Sequence, residues 1–145
     1  MISKTVSQLV SKSVDYRVRE STKGKNMALI KSFKEIICWQ KSHQLALEVY
    51  RLTTAFPKIE DYCLTNQIRR AVISVPSNIA EGFKRRSLSD SKHFYNIAQG
   101  SLEEVKYQLL LAKDLGYITS EEYVQISMLT EEVSKLLVGW IKVQK

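Results

Sequence analysis

Only 2 cysteines, 2 prolines, 5 glycines and 2 histidines occur in the 145 residues of this chain. Cys38 and Cys63 form neither a disulfide framework nor a paired-thiolate metal pattern, and they read as reduced thiols of a cytoplasmic protein. So few glycines and prolines leave little material for the many tight turns of a sandwich or barrel of short strands. No run approaches the ~18 apolar residues of a membrane span. Met1–Lys12 is basic but lacks an apolar core of about 7 residues, so a secretory leader is not expected. Neither His43 nor His93 has a Glu three residues before it, as the Glu-x-x-His pairs of a di-metal carboxylate bundle require. A Gly-x-Ser-x-Gly elbow and a phosphate-binding glycine loop are absent too. No catalytic residues, metal or cofactor are expected.

Against these shortages stand ordinary globular composition, 44% hydrophobic and 26% charged, and a net charge of +7. One domain is the natural size. The charge is polarised. Cations outnumber carboxylates six to two over residues 1–26 and again over 66–92, whereas carboxylates lead seven to two over 103–132. Such polarity suits a polyanionic partner, or self-assembly in which basic and acidic faces meet; a solvated, uneven surface is the plain alternative.

Residues 1–32 read as a flexible basic tail, rich in Ser, Thr and Lys, with Met27 as an alternative start. Helical periodicity then begins and persists over 33–145. The first helix is expected from about Phe33 to Phe56, stopped by Pro57. The second starts near Glu60 or Asp61, runs through Arg85 and is kinked at Pro76. After the cap-rich stretch Ser87–Ser91 comes a third, ending at Gly116 as the residue beyond its C-cap. Thr119-Ser-Glu-Glu122 is a capping box for the fourth, with Ile118 and Tyr123 placed to form a hydrophobic staple. Four amphipathic helices with short connections predict an all-α, antiparallel up-down-up-down four-helix bundle.

The second helix carries two faces. Leu64, Ile68, Ala71, Val75, Ile79 and Phe83 form an apolar stripe. Gln67, Arg70, Ser74, Asn78, Glu81 and Arg85 form a polar ladder beside it. Gln67, Arg70, Asn78 and Glu81 are expected to be structural, buried between helices, with Arg70 pairing with Glu81 or with an acid of the third helix. Lys84, Arg85, Arg86 and Lys92, with Arg69, are the candidate nucleic-acid contacts. Three adjacent cations at a helix exit repel one another without a partner, and the arginine fork matches phosphate oxygens. Glu81 with Glu103 or Glu104 has no metal-binding partner set. Gly82 and Gly100 suit a close helix approach or a helix end. Trp39 and Trp140 suit core or interface. Tyr95 and Tyr107 are able to stack on bases, although packing explains them more simply.

Trp39-Gln-Lys, Tyr50-Arg-Leu-Thr-Thr-Ala-Phe-Pro57, Tyr62-Cys-Leu-Thr-Asn-Gln-Ile-Arg-Arg-Ala71, Ser77-Asn-Ile-Ala-Glu-Gly82 and Ile97-Ala-Gln-Gly-Ser-Leu-Glu-Glu104 resemble the four-helix proteins of the 23S rRNA intervening-sequence family. That family in turn resembles the accessory variability proteins of diversity-generating retroelements. The resemblance spans roughly Phe33 to Lys142. It implies a four-helix protomer and a homopentameric barrel; its retroelement branch implies a nucleic-acid-binding basic surface and a reverse-transcriptase partner. The expectation is a non-enzymatic, homo-oligomeric scaffold that binds RNA or DNA, with no membrane partner. The alternatives are an interface-cleft enzyme similar to helical-bundle adenosyltransferases and a purely protein–protein interaction module.

Overall fold

A computed structural model describes residues 30–144. The basic tail expected over 1–32, with Met27, lies outside them apart from its last three residues. Residues 33–145 form one compact unit. Among the described residues the regular structure is helical: a 3-10 turn at Phe33–Glu35, α1 (Ile37–Thr53), a second 3-10 turn at Lys58–Glu60, α2 (Leu64–Phe83), α3 (Leu88–Asp114) and α4 (Ser120–Lys142).

The helices start and stop where side chains satisfy free backbone groups. α1 ends three residues before the expected Phe56. There the Thr53 hydroxyl donates to the Val49 carbonyl at 2.8 Å and the Thr54 hydroxyl to that of Tyr50 at 2.9 Å. Phe56 is buried against the Tyr117 ring. α2 begins at Leu64 rather than at Glu60 or Asp61. Glu60 stays in its 3-10 turn and accepts the Leu64 N–H at 3.0 Å, capping the helix from outside. α2 continues through Pro76, whose missing N–H leaves the Val72 carbonyl without its helical partner. Ser87 caps α3 by accepting the Asp90 N–H. Gly116, at φ 79°, ends α3 with Gly116 N–H to Lys113 O and Tyr117 N–H to Ala112 O, the paired bonds of a Schellman turn. Thr119 and Glu122 close both halves of the expected capping box.

The four helices run antiparallel, α1 against α2 and α4, and α3 against α2 and α4. Leu45, Val49, Ile68, Val75, Leu102, Val105, Val133 and Leu137 meet in a core with essentially no exposure. Each such side chain contributes roughly 1.5–3 kcal/mol by leaving water. Lys41 of α1 and Glu132 of α4 form a buried ion pair at 3.6 Å across the seam between the first and last helices. One end of the bundle therefore gathers the start of α1, the α2–α3 connection and the end of α4. The contact of Tyr95 with Trp140 marks that end, and Phe56 with Tyr117 marks the other.

Candidate nucleic-acid interface

The α2–α3 connection is short because Ser87 caps α3 four residues after α2 ends. Lys84 and Arg86 lie in it and Lys92 on the second turn of α3, all three exposed. Arg85 is held: its guanidinium pairs with Glu81 one turn earlier and lies 4.3 Å from the centre of the Phe94 ring. The start of the 27-residue α3 adds the positive end of its dipole, partly offset by Asp90.

Antiparallel packing brings further cations to the same end. Lys34 stands in the turn before α1, and Lys135 and Lys142 lie on the last two turns of α4, all three exposed. Sequence reading along one segment at a time missed these three, since only the helix order joins them. The carboxylates at this end are Glu35, Glu81 and Asp90, and Glu81 is already paired. The opposite end is rich in acids: Glu48, Glu60, Asp61, Asp114, Glu121 and Glu122.

Arg69 does not belong to the basic end. It lies 15 residues before Lys84 on α2, about 22 Å along the axis. Its Nε donates to the Thr53 hydroxyl at 2.9 Å and its guanidinium sits 4.6 Å above the Tyr50 ring, so it ties α2 to α1.

The polar ladder is half-buried at its middle, at Ser74 and Asn78. Asn78 Nδ2 donates to the Ser74 carbonyl at 2.7 Å and to its hydroxyl at 2.9 Å, and that hydroxyl bonds Ser101 of α3 at 2.8 Å. Gln67, Arg70 and Glu81 are exposed. The expected Arg70–Glu81 pair does not form. Eleven residues on one helix separate them by about 16 Å, and Glu81 takes the closer Arg85. Among the described residues Arg70 also has no ion pair with α3.

Glu103 pairs with Lys106 at 2.8 Å, and Lys106 reaches Glu131 of α4 at 3.0 Å. Burial opposes the charge on Lys106, but the bonds to Glu103 and Glu131 outweigh it and raise its pKa. Among the described residues no three His, Cys, Asp or Glu side chains gather as metal ligands. Burial pushes the Cys38 thiol up to about 12, while Cys63 is exposed. Tyr95 is core and Tyr107 is 62% exposed. Sequence reading also missed the Lys41–Glu132 pair. Burial raises the Glu132 pKa, and Lys41 opposes that shift.

A four-helix bundle with cations converging on one end is the class of protein that fold and surface define. The family described as 23S rRNA-intervening sequence protein matches residues 34–139, and the chain belongs to that family. It is also similar to a crystal structure of a protein of unknown function from the S23 ribosomal protein family of Bacteroides thetaiotaomicron. The two share 30% identity and a TM-score of 0.68, over 73% of this chain and 99% of that one. No curated protein matches. Among the described residues no helix is long and apolar enough to cross a membrane.

Proposed function

We propose that this protein is a non-catalytic, homo-oligomeric nucleic-acid-binding scaffold of the cytoplasm, with the basic end of the bundle as its contact surface. The observation that carries this reading is convergence. Lys34, Lys84, Arg86, Lys92, Lys135 and Lys142 come from three separate parts of the chain and are exposed at one end, where the local carboxylates are few. Flexible cations around a rigid frame recognise phosphates by charge and discriminate little between sequences. The family's name, 23S rRNA-intervening sequence protein, favours RNA as the first polyanion to test. The assembly is a ring, with the family resemblance favouring a pentamer. Repetition of a modest patch around it raises affinity by avidity. In the retroelement branch of that resemblance, the partner would be a reverse transcriptase meeting the same nucleic acid.

The experiment is binding of single-stranded and duplex RNA and DNA at several salt concentrations, for wild type and for Lys84→Ala/Arg86→Ala/Lys92→Ala. The triple variant is expected to bind every sequence more weakly, with a flatter slope of log affinity against log salt. No binding by wild type at ~50 mM salt overturns the proposal, since counterion release is strong there.

A further inference from the structure

The outward side of α1 carries a file of aromatic rings that begins at the basic end. Trp39, His43 and Tyr50 recur at spacings of four and seven, so they share one stripe of the helix. Trp39 and His43 lie face to face, with ring centres 5.3 Å apart and planes within 8° of parallel. Phe33 meets Trp39 edge-on at 4.9 Å and backs the stack. Trp39 covers one face of the His43 ring, and His43 is exposed. A parallel stack that ends in an exposed ring is a platform to which a further flat ring adds.

α2 supplies the opposite wall. Ile73, Ser77, Ala80 and Lys84 recur at spacings of four, three and four, so the wall ends in an exposed cation at the basic end. Between the two helices the cleft holds about 470 Å³, and among the described residues no carboxylate lines it. At its far end the Arg69 guanidinium lies 4.6 Å over the Tyr50 ring, about 16 Å along α1 from Trp39. Flat rings with cations at both ends are the two ingredients of a seat for unpaired nucleobases, the rings taking the bases and the cations the phosphates. A duplex keeps its bases stacked inside, so such a seat is open to single strands, loops and ends. An apolar peptide helix gains nothing from the cations, whereas a nucleic-acid strand engages rings and cations together.

We propose that the α1–α2 cleft seats bases of single-stranded RNA or DNA, the first stacking on the His43–Trp39 pair while the strand's phosphates run over the basic end beside Lys84. The seat has a role only if the basic end binds nucleic acid, as proposed above, and it adds a preference for unpaired strands. Every base presents a flat face, so stacking raises affinity without reading sequence. Stacking also leaves the salt dependence to the phosphate contacts, which separates the two contributions in an experiment.

The test uses the full chain and three probes of equal length: oligoadenylate, an abasic strand with the same phosphates, and an adenine–uracil duplex. Wild type is expected to bind oligoadenylate at least about fivefold tighter than the abasic strand, the worth of one stacked base, with a similar slope of log affinity against log salt. Oligoadenylate is expected to quench tryptophan fluorescence, and the other two probes are not. Trp39→Ala and His43→Ala should each bring oligoadenylate down toward the abasic level, while Trp39→Phe keeps tight binding and loses the quenching. His43 is exposed, so its replacement spares the core, and circular dichroism melts confirm that each variant folds. Equal binding of oligoadenylate and the abasic strand by wild type overturns the base seat, leaves the phosphate-binding surface standing and opens the cleft to an apolar partner. A preference for bases that survives in both folded alanine variants also overturns it. No binding of any probe at ~50 mM salt removes the nucleic-acid function itself, and the seat with it.

Discussion

Gly82 of α2 faces the Tyr95 ring of α3 so closely that a Cβ on Gly82 would stand 2.5 Å from Tyr95 Cε1 and 3.0 Å from the Ser91 carbonyl oxygen. Tyr95 is 1% exposed and packs edge-on against Trp140, so the ring has nowhere to retreat. Gly82 thus lets α2, α3 and α4 meet directly beneath the basic end. Gly82→Ala is expected to destabilise the fold by roughly 1–3 kcal/mol through overpacking. Gly100→Ala, where a Cβ meets nothing, is expected to stabilise the protomer by about 0.5–1 kcal/mol. Urea denaturation of both variants checks the contrast, and equal effects would mean that Tyr95 moves aside freely.

Lys41 and Glu132 are each about nine-tenths buried, and neither carboxylate oxygen of Glu132 accepts a hydrogen bond. Lys41→Met leaves that carboxylate without its counter-charge and is expected to cost about 3–5 kcal/mol. Lys41→Met/Glu132→Leu is expected to recover much of the loss, because two apolar side chains suit the same seam. The pH dependence follows from the raised pKa of Glu132. The folded state binds this proton more tightly than the unfolded chain, so Glu132 destabilises the fold progressively as pH rises from about its ordinary value of 4.5 through its folded value. The stability of wild type relative to Glu132→Gln should therefore fall across that window. A difference that is constant with pH, in urea midpoints taken from pH 4 to 8, would show that the folded and unfolded chains bind this proton equally and that the pKa is not raised.

The legible part of the fold was local. Apolar periodicity, the Thr119–Glu122 box and Gly116 each act within a few residues, so four helices and the ends on either side of the α3–α4 connection could be read directly, whereas α1 begins at Ile37 rather than Phe33 and α2 ends at Phe83 rather than Arg85. The start of α2 could not, because Glu60 caps Leu64 while its other oxygen is fixed by Tyr117, 57 residues away. The site was legible in the same uneven way. Lys84, Arg85 and Arg86 announced themselves as a run, with Lys92 six residues on, whereas Lys34, Lys135 and Lys142 join them only after the helices pack. Arg69 failed to join them because sequence adjacency to Arg70 says nothing about the 22 Å or so of helix between it and the basic exit.

The Glu60 clasp joins the α1–α2 connection to the α3–α4 connection. Its carboxylate holds the Leu64 N–H and the Tyr117 hydroxyl, each at 3.0 Å, and that bond to Glu60 raises the Tyr117 pKa. Tyr117→Phe and Glu60→Ala should each lower the melting temperature. Their effects should be less than additive when combined, since both remove the same bond. Strict additivity in a double-mutant cycle would mean that the bond is not maintained in solution.

The charge state of the basic end should depend on Glu81 more than on any other single carboxylate. Glu81 neutralises Arg85 within its own helix, and Phe94 flattens the same guanidinium against α3. Arg85 is thus pre-positioned but already partnered, whereas Arg86 is exposed and, among the described residues, forms no ion pair. Arg86→Ala is expected to weaken nucleic-acid binding more than Arg85→Ala does, and to reduce the salt slope by close to one unit, about 0.9 for a duplex and 0.7 for a single strand. Glu81→Gln removes a negative charge and frees Arg85 while leaving it on Phe94. It should tighten binding to every sequence alike and steepen the slope by up to one further phosphate contact. In the Glu81→Gln background, Arg85→Ala should then cost as much as Arg86→Ala does. Titrations of one RNA and one DNA oligonucleotide across a salt series measure all four variants. If Arg85→Ala proves the more damaging change in the wild-type background, Arg85 exchanges Glu81 for phosphate on binding, and the ion pair is a resting partner for a contact residue rather than a restraint that silences it.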